Sequence, residues 1–177
     1  MRSGSNPRAA GACAGAAAGK VQFAAPSMIV QGSLFDRQLA ALDQIEPSAR
    51  ILVFYGYDCG SITQKWKSDR LNSLSALAVV RKQAFVNTLW AFQGLHLVGV
   101  HYRAAEPYLR DPSQFVVSGR CIASGLAPRL DTALDQAPRA AFDYVWQTSL
   151  TAEERVHRPW LQTVWVGENA ELFRIRH

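Results

Sequence analysis

The sequence predicts a three-layer α/β fold: a small mixed, mainly parallel sheet with flanking helices and a C-terminal β-hairpin. Three observations predict it. A helix-periodic stretch over residues 33–47 passes through a Pro-containing turn into the unbroken apolar run Ile51–Tyr55. Such a run suits a strand buried on both faces, as in the middle of a parallel sheet. A second helix-then-strand pair follows, and strands joined through a helix lie parallel with a right-handed crossover. Finally, two apolar runs flank Gly167–Asn169, the pattern of a hairpin, which makes the sheet mixed.

The elements follow in chain order. Residues 1–24 are Ala, Gly, Ser and Pro with few large side chains. They bury too little apolar surface to offset ordering entropy, so they are expected to form a disordered or weakly helical tail, with a single α/β domain over 25–177. In "SLFDRQLAALDQIEP", Leu34, Phe35, Leu39, Leu42 and Ile45 share a helical face. Ser33 is placed as its N-cap, and Pro47 ends it. The strand "RILVFY" stops at Gly56, and a loop runs on through "YDCGS". Leu71, Leu74, Leu77 and Ala78 mark the next helical face.

Beyond it, Ala84–Ala91 is expected as a second strand and "LHLVGVHYR" as a third, at an edge. A short helix is expected around Leu130–Leu134, stopped by Pro138, and a strong strand over Phe142–Thr148. A short helix is expected in "TAEERVHRPWL", with Thr151 as N-cap and Glu153 and Glu154 in the first turn, where the helix dipole favours carboxylates. The hairpin closes the chain. No internal repeat is present.

The chain has 177 residues, 49% hydrophobic and 19% charged, enough for one domain with a sizeable core. Net charge is +5 and pI is near 9.4, which points towards anionic partners. Yet Lys and Arg are scattered, the densest pairs being Arg81–Lys82 and Lys65/Lys67, so no nucleic acid is expected. No apolar run is long enough to span a bilayer. The Ala/Gly-rich N-terminus lacks the apolar centre of a secretory signal.

Several motifs invite chemistry. "GAAAGKV" suggests a phosphate loop, but Gly15 to Gly19 leaves three spacers where four are needed, and Val21 stands where a hydroxyl residue must hold magnesium. No strand precedes it. The loop after the first strand is better placed, because ligands of open α/β sheets sit at the carboxyl ends of strands. Gly56, Asp58, Cys59, Gly60 and Ser61 are therefore the candidate ligand-binding residues. A tight turn needing glycine freedom explains the same residues.

Cys13, Cys59 and Cys121 contain no C-x-x-C pair. Outside the cytoplasm Cys59 and Cys121 are able to pair; as two free thiols they explain the sequence equally well. A thiol nucleophile would need one of His96, His101, His157 or His177 beside it. His96 and His101 are five apart, on opposite faces if the segment is a strand, so no metal is expected there, and no cofactor is expected elsewhere. "SGRCIASGLA" is not a nucleophile elbow. Asp36, Asp43 and Glu46 read as a solvated helix face. Trp90, Trp146 and Trp165 lie in strand-like runs and are expected in the core. Trp66 and Trp160 are the candidates for a surface role.

One pattern is more specific. "LDQIEPSARILVF" resembles a helix, turn and strand of the form L-D-x-I-P-P-G-x-R-V-L. "LSALAVVRKQAFVNTLWA" resembles the segment that follows it, and "FDYVWQTS" with "VWVGENAELFRI" resembles the last strands. In that order, over residues 34–177, they resemble the soluble C-terminal region of large polytopic bacterial membrane proteins, some labelled glycosyltransferases that use polyprenol-phosphate sugars. Glu46-Pro47-Ser48 departs from the usual Pro-Pro-Gly, and "RLNSL" from a His-Leu-Pro step.

The resemblance implies a non-catalytic, water-exposed accessory domain on the periplasmic face, with residues 1–24 as the junction to a membrane helix. It implies as partners the protein's own membrane part or the membrane surface, and a sugar or lipid-linked ligand. The catalytic carboxylates of such proteins lie in the membrane part, so none is carried over. The alternative is a small stand-alone α/β enzyme, cytoplasmic, binding a nucleotide or phosphorylated ligand at Gly56–Ser61.

Overall fold

The apolar run Ile51–Tyr55 becomes the centre of a sheet. The computed structural model describes residues 32–33, 35–57, 70–92, 94–96, 99–117 and 127–177. Among them are six strands: β1 (Arg50–Tyr57), β2 (Phe85–Val86), β3 (Phe115–Val117), β4 (Tyr144–Thr148), β5 (Leu161–Val166) and β6 (Ala170–Ile175). They form one sheet in the order β2-β1-β4-β6-β5, with β3 also paired to β1. Short helices α1 (Leu77–Lys82) and α2 (Leu130–Gln136) and helical residues 35–39 accompany 3-10 turns at Ala40–Gln44, Arg70–Ala76, Arg103–Ala105 and Arg139–Ala141. The chain divides into units Met1–Asp36 and Arg37–His177, and the strands, α1, α2 and the 3-10 turns lie in the second.

The sheet is mixed, as expected. β1 and β2 are parallel, with Arg50 opposite Phe85 and Ile51 opposite Val86. β4 lies parallel on the other side of β1, from Ile51–Tyr144 to Tyr55–Thr148. The C-terminal hairpin is present: β6 runs antiparallel to both β4 and β5, and the Gly167 N–H donates to Ala170 O at 2.8 Å. The expectation of a mainly parallel sheet is corrected. The hairpin docks directly on β4, so its two antiparallel ladders are as long as the β1–β4 ladder. The remaining parallel partners, β2 and β3, are only two and three residues long.

The shortness of β2 and β3 has a side-chain cause. Both pair with the same edge of β1, β2 at its start and β3 at its end. Between them, on this edge, Val53 has no strand beside it. The Asn87 amide fills the gap: its Oδ1 accepts the Val53 N–H at 2.7 Å, and its Nδ2 donates to Val53 O at 3.2 Å. Nδ2 also donates to Ser113 Oγ at 3.2 Å. A carboxamide carries the same donor and acceptor as a peptide, so one side chain replaces a strand residue. The backbone is then free to leave the sheet after Val86. The expected strand Ala84–Ala91 therefore shrinks to Phe85–Val86, and the described residues of "LHLVGVHYR" form no strand.

Alternation along the strands buries both faces. Leu52, Phe54, Val145, Phe173 and Ile175 pack with Leu130, Ala133 and Leu134 of α2, with Tyr108 and with Leu150. The rings of Phe54 and Tyr108 meet edge to face at 5.7 Å, and the Tyr108 hydroxyl donates to Ala133 O at 2.8 Å. Each such buried side chain contributes about 1.5–3 kcal/mol. The opposite face carries Ile51, Val53, Tyr144, Trp146 and Leu172, equally buried. The helical region expected before β1 is present as helical residues 35–39 and the turn Ala40–Gln44, which buries Leu42. α1 ends at Gln83, whose left-handed backbone (φ 55°) turns the chain into β2.

Arg50 ties the start of β1 to the start of β4. Its Nε donates to Asp143 Oδ2 at 2.9 Å, its Nη2 bonds Asp143 Oδ1 at 2.5 Å, and its backbone N–H donates to Oδ2 at 2.8 Å. The expected helix over "TAEERVHRPWL" is corrected to a single turn. Glu154 N–H donates to Thr151 O at 3.0 Å, and the Glu154 carboxylate accepts from Thr151 N–H at 3.0 Å. The turn stops there because residues 155–157 are bound sideways to the sheet.

Candidate functional site

Among the described residues of the Arg37–His177 unit, three regions bear on binding: the carboxyl end of β1, a cleft beside α2, and an aromatic turn after β2. The first is where sequence reasoning places a ligand. Gly56 lies at the end of β1, opposite Val116 of β3. A Cβ built on Gly56 would stand 2.4 Å from Leu150 Cδ2, 2.7 Å from Leu150 Cγ and 2.8 Å from Ser149 O. Glycine is needed here because the β4 exit presses against β1, so the Gly56 Cα faces protein. Ser149 turns the chain with a left-handed φ of 57°, and Leu150 N–H is held by Asn169 O at 3.1 Å. Asp58, Cys59, Gly60 and Ser61 lie outside the described residues.

The cleft, about 270 Å³, is lined by Arg129, Leu130 and Asp131 on one side and Glu153, Glu154, Arg155 and Val156 on the other. Its charges are engaged within the fold, and Glu153 and Glu154 accept from Thr151 Oγ1 at 3.1 Å. Arg129 pairs with Asp131 at 3.1 Å, and that guanidinium's hydrogen bonds hold Asp131 below the usual carboxylate range. Arg155 is a buried hub. Its Nε donates to Leu150 O at 3.3 Å, and its Nη2 donates to Gly167 O at 2.8 Å and Glu168 O at 2.6 Å. Its Nη1 lies 3.6 Å from Glu171 Oε2, also buried. Glu171 Oε1 further accepts from Thr163 Oγ1 at 2.8 Å and meets His157 Nε2 at 3.2 Å. Gln147 of β4 completes the clamp, accepting from Val156 N–H at 2.9 Å and donating to Val156 O at 2.7 Å. This network holds segment 155–157 and the hairpin turn together.

The third region contains residues expected in the core. Trp90 is 66% exposed and Leu95 is 80% exposed, so the core placement of Trp90 is corrected. Trp90, Phe92 and His96 form one ring cluster, with centroids 6.0–6.5 Å apart. The turn beneath them is closed by Leu95 N–H and His96 N–H, both donating to Phe92 O at 3.1 Å, and by Phe92 N–H donating to His96 Nδ1 at 3.3 Å. Gly94 supplies the left-handed φ of 83° that closure requires. The Arg110 guanidinium lies 5.1 Å over the Phe92 ring and donates to Ala91 O at 3.2 Å.

The remaining candidates fall as follows. Trp146 is in the core as expected, while Trp165 is half-buried. Trp160, a surface candidate, lies under the Arg139 guanidinium at 4.5 Å. Asp36, Asp43 and Glu46 are exposed, and Glu46 pairs with Arg174. His101 is exposed, as is His96 in the aromatic turn. No group of three or more His, Cys, Asp or Glu able to hold a metal occurs among the described residues. Cys13, Cys59, Cys121, Trp66 and the Gly15–Lys20 motif lie outside them.

Reading for periodicity misses the aromatic turn, because "FVNTLWAF" is as apolar as a strand. The signal it carries is electrostatic. From Arg70 to Ala105 the sequence has no Asp or Glu, but it has Arg70, Arg81, Lys82, His96, His101 and Arg103. Compared with known proteins, the chain matches no family model, no curated protein and no solved structure.

Proposed function

We propose that this chain is an accessory domain without turnover of its own: the water-exposed C-terminal α/β domain of a glycosyltransferase-like polytopic membrane protein. The observation that carries the accessory role is the close packing over Gly56 near the carboxyl end of β1. Leu150 and Ser149 occupy the space over Gly56, where an α/β enzyme would admit a phosphate or nucleotide. The type of parent rests on the resemblance of residues 34–177, which implies a periplasmic setting. Burial of every residue of β4 supports the three-layer arrangement that goes with this reading.

Two experiments test it. The purified chain is incubated with nucleotide sugars and with polyprenyl-phosphate sugars, and released nucleotide or transferred sugar is measured. The expected rate equals that of heat-denatured chain, and sustained turnover overturns the accessory role. In cells, an antibody against residues 37–177 should follow the parent polypeptide into carbonate-resistant membranes. Recovery in the soluble fraction overturns the attachment.

A further inference from the structure

We propose that the turn carrying Trp90, Phe92 and Leu95 is a docking element for an anionic bilayer surface, with the indole and Leu95 entering the interface and Arg110 meeting the phosphates. The inference deepens the accessory-domain reading and rests on it for its setting, a domain working beside a membrane. The surface itself stands on independent observations.

Exposure comes first. Trp90 and Leu95 present most of their area to solvent, although both belong to residue types that proteins normally bury. They are not loosely placed. Two backbone hydrogen bonds, a third from the Phe92 N–H to the His96 ring, and the ring contact of Phe92 and His96 fix the turn. Its shape is therefore set before any partner arrives, which lowers the ordering cost of binding.

Charge chooses the occupant. The exposed Arg110 sits on the Phe92 face. Asp111, the carboxylate next to it in sequence, is buried and accepts from the Gln114 amide. The turn lies within the acid-free stretch 70–105. An aromatic ring, an aliphatic side chain and a guanidinium that forms no ion pair among the described residues match the bilayer interface, where tryptophan sits at headgroup level and each basic residue adds to attraction by anionic lipids. A stable protein interface would ask for about 20–30 residues a side, far more than this turn supplies.

The test uses the full chain and sedimentation with vesicles of phosphatidylcholine alone, or of an equimolar mixture with phosphatidylglycerol. Binding is expected to the mixed vesicles, weaker at high salt. Trp90→Ala and Leu95→Ser should each lower the partition coefficient about tenfold. Both positions are exposed, so unfolding temperatures should stay at the parent value, which separates lost docking from lost folding. Val166→Ser serves as control. It alters another exposed apolar residue, 61% exposed, on β5 at the opposite edge of the sheet, and should leave binding unchanged.

Absence of vesicle binding overturns the proposal. So does binding that survives both substitutions, or that Val166→Ser lowers equally. If the two substitutions instead abolish self-association in light scattering while vesicles are ignored, the occupant is a second copy and the lipid proposal fails. None of these outcomes depends on the turnover or carbonate-extraction results.

Discussion

Asn87→Ala tests the argument that a single side chain completes the edge of β1. Asn87 is fully buried and serves both polar groups of Val53, itself buried. Truncation leaves the Val53 N–H and C=O without partners in the gap between β2 and β3. A buried orphan group costs about 1–3 kcal/mol, so the pair is worth about 2–6 kcal/mol. With about 4 kcal/mol lost, the melting temperature of a domain this size falls by about 8–16 °C. Urea denaturation gives the free energy, and hydrogen exchange of the Val53 amide gives the mechanism.

Asn87→Asp sharpens the test. A carboxylate still accepts from Val53 N–H but cannot donate to Val53 O, and it places a charge in a fully buried site. Burial raises the folded pKa of the new group above its unfolded value of about 3.9. The added penalty therefore appears as pH rises through that value, and the deficit relative to the parent shrinks on acidification. The reasoning is refuted if Asn87→Ala costs less than about 1 kcal/mol, or if the Val53 amide already exchanges freely in the parent protein.

Gly56→Ala drives a methyl into Leu150 and Ser149 O and should cost about 1–3 kcal/mol in denaturant titration. Adding Leu150→Ala should recover part of that cost, seen as non-additivity in a double-mutant cycle. Arg155→Ala strands buried Glu171 and the Leu150, Gly167 and Glu168 carbonyls, and should cost about 3–5 kcal/mol by urea midpoint. Asp143→Asn removes the charged partner of Arg50, whose hydrogen bonds lower the Asp143 pKa below 3.8. A depressed folded pKa gives stability that is present above the unfolded value and lost as pH falls through the folded one. The parent should exceed Asp143→Asn by about 1 kcal/mol near neutrality after solvent screening, and thermal melts should show the difference closing below pH 3.8.

Where residue type and spacing agreed over a long run, the sequence was legible. The continuous apolar run forces β1 into a buried position, because five successive large side chains can be removed from water only if both faces are covered. Glycine and polar residues between two apolar runs dictate the hairpin. Leu130–Leu134 shows its helical face directly. The strand was expected to stop at Gly56 but runs on to Tyr57, and what stands over that glycine was not legible. Leu150 is 94 residues away in sequence, and only the pairing of β1 with β4 brings the two together.

The failures share one cause: local patterns compete with partners that only the folded chain supplies. "FVNTLWAF" has the composition of a strand, yet Asn87 takes over the pairing of Val53 and releases the backbone, leaving Trp90 in solvent. "TAEERVHR" has the caps of a helix, yet Gln147, Glu171 and the hairpin carbonyls bind residues 155–157 and the chain makes no second helical turn. The sequence by itself determined the α/β class, the central strand and the hairpin, because burial of a regular apolar pattern is a local demand. The tertiary structure alone decided the balance of parallel and antiparallel strands, the packing of Leu150 over Gly56 and the exposed aromatic turn. Each depends on a hydrogen bond or contact between residues far apart in the chain.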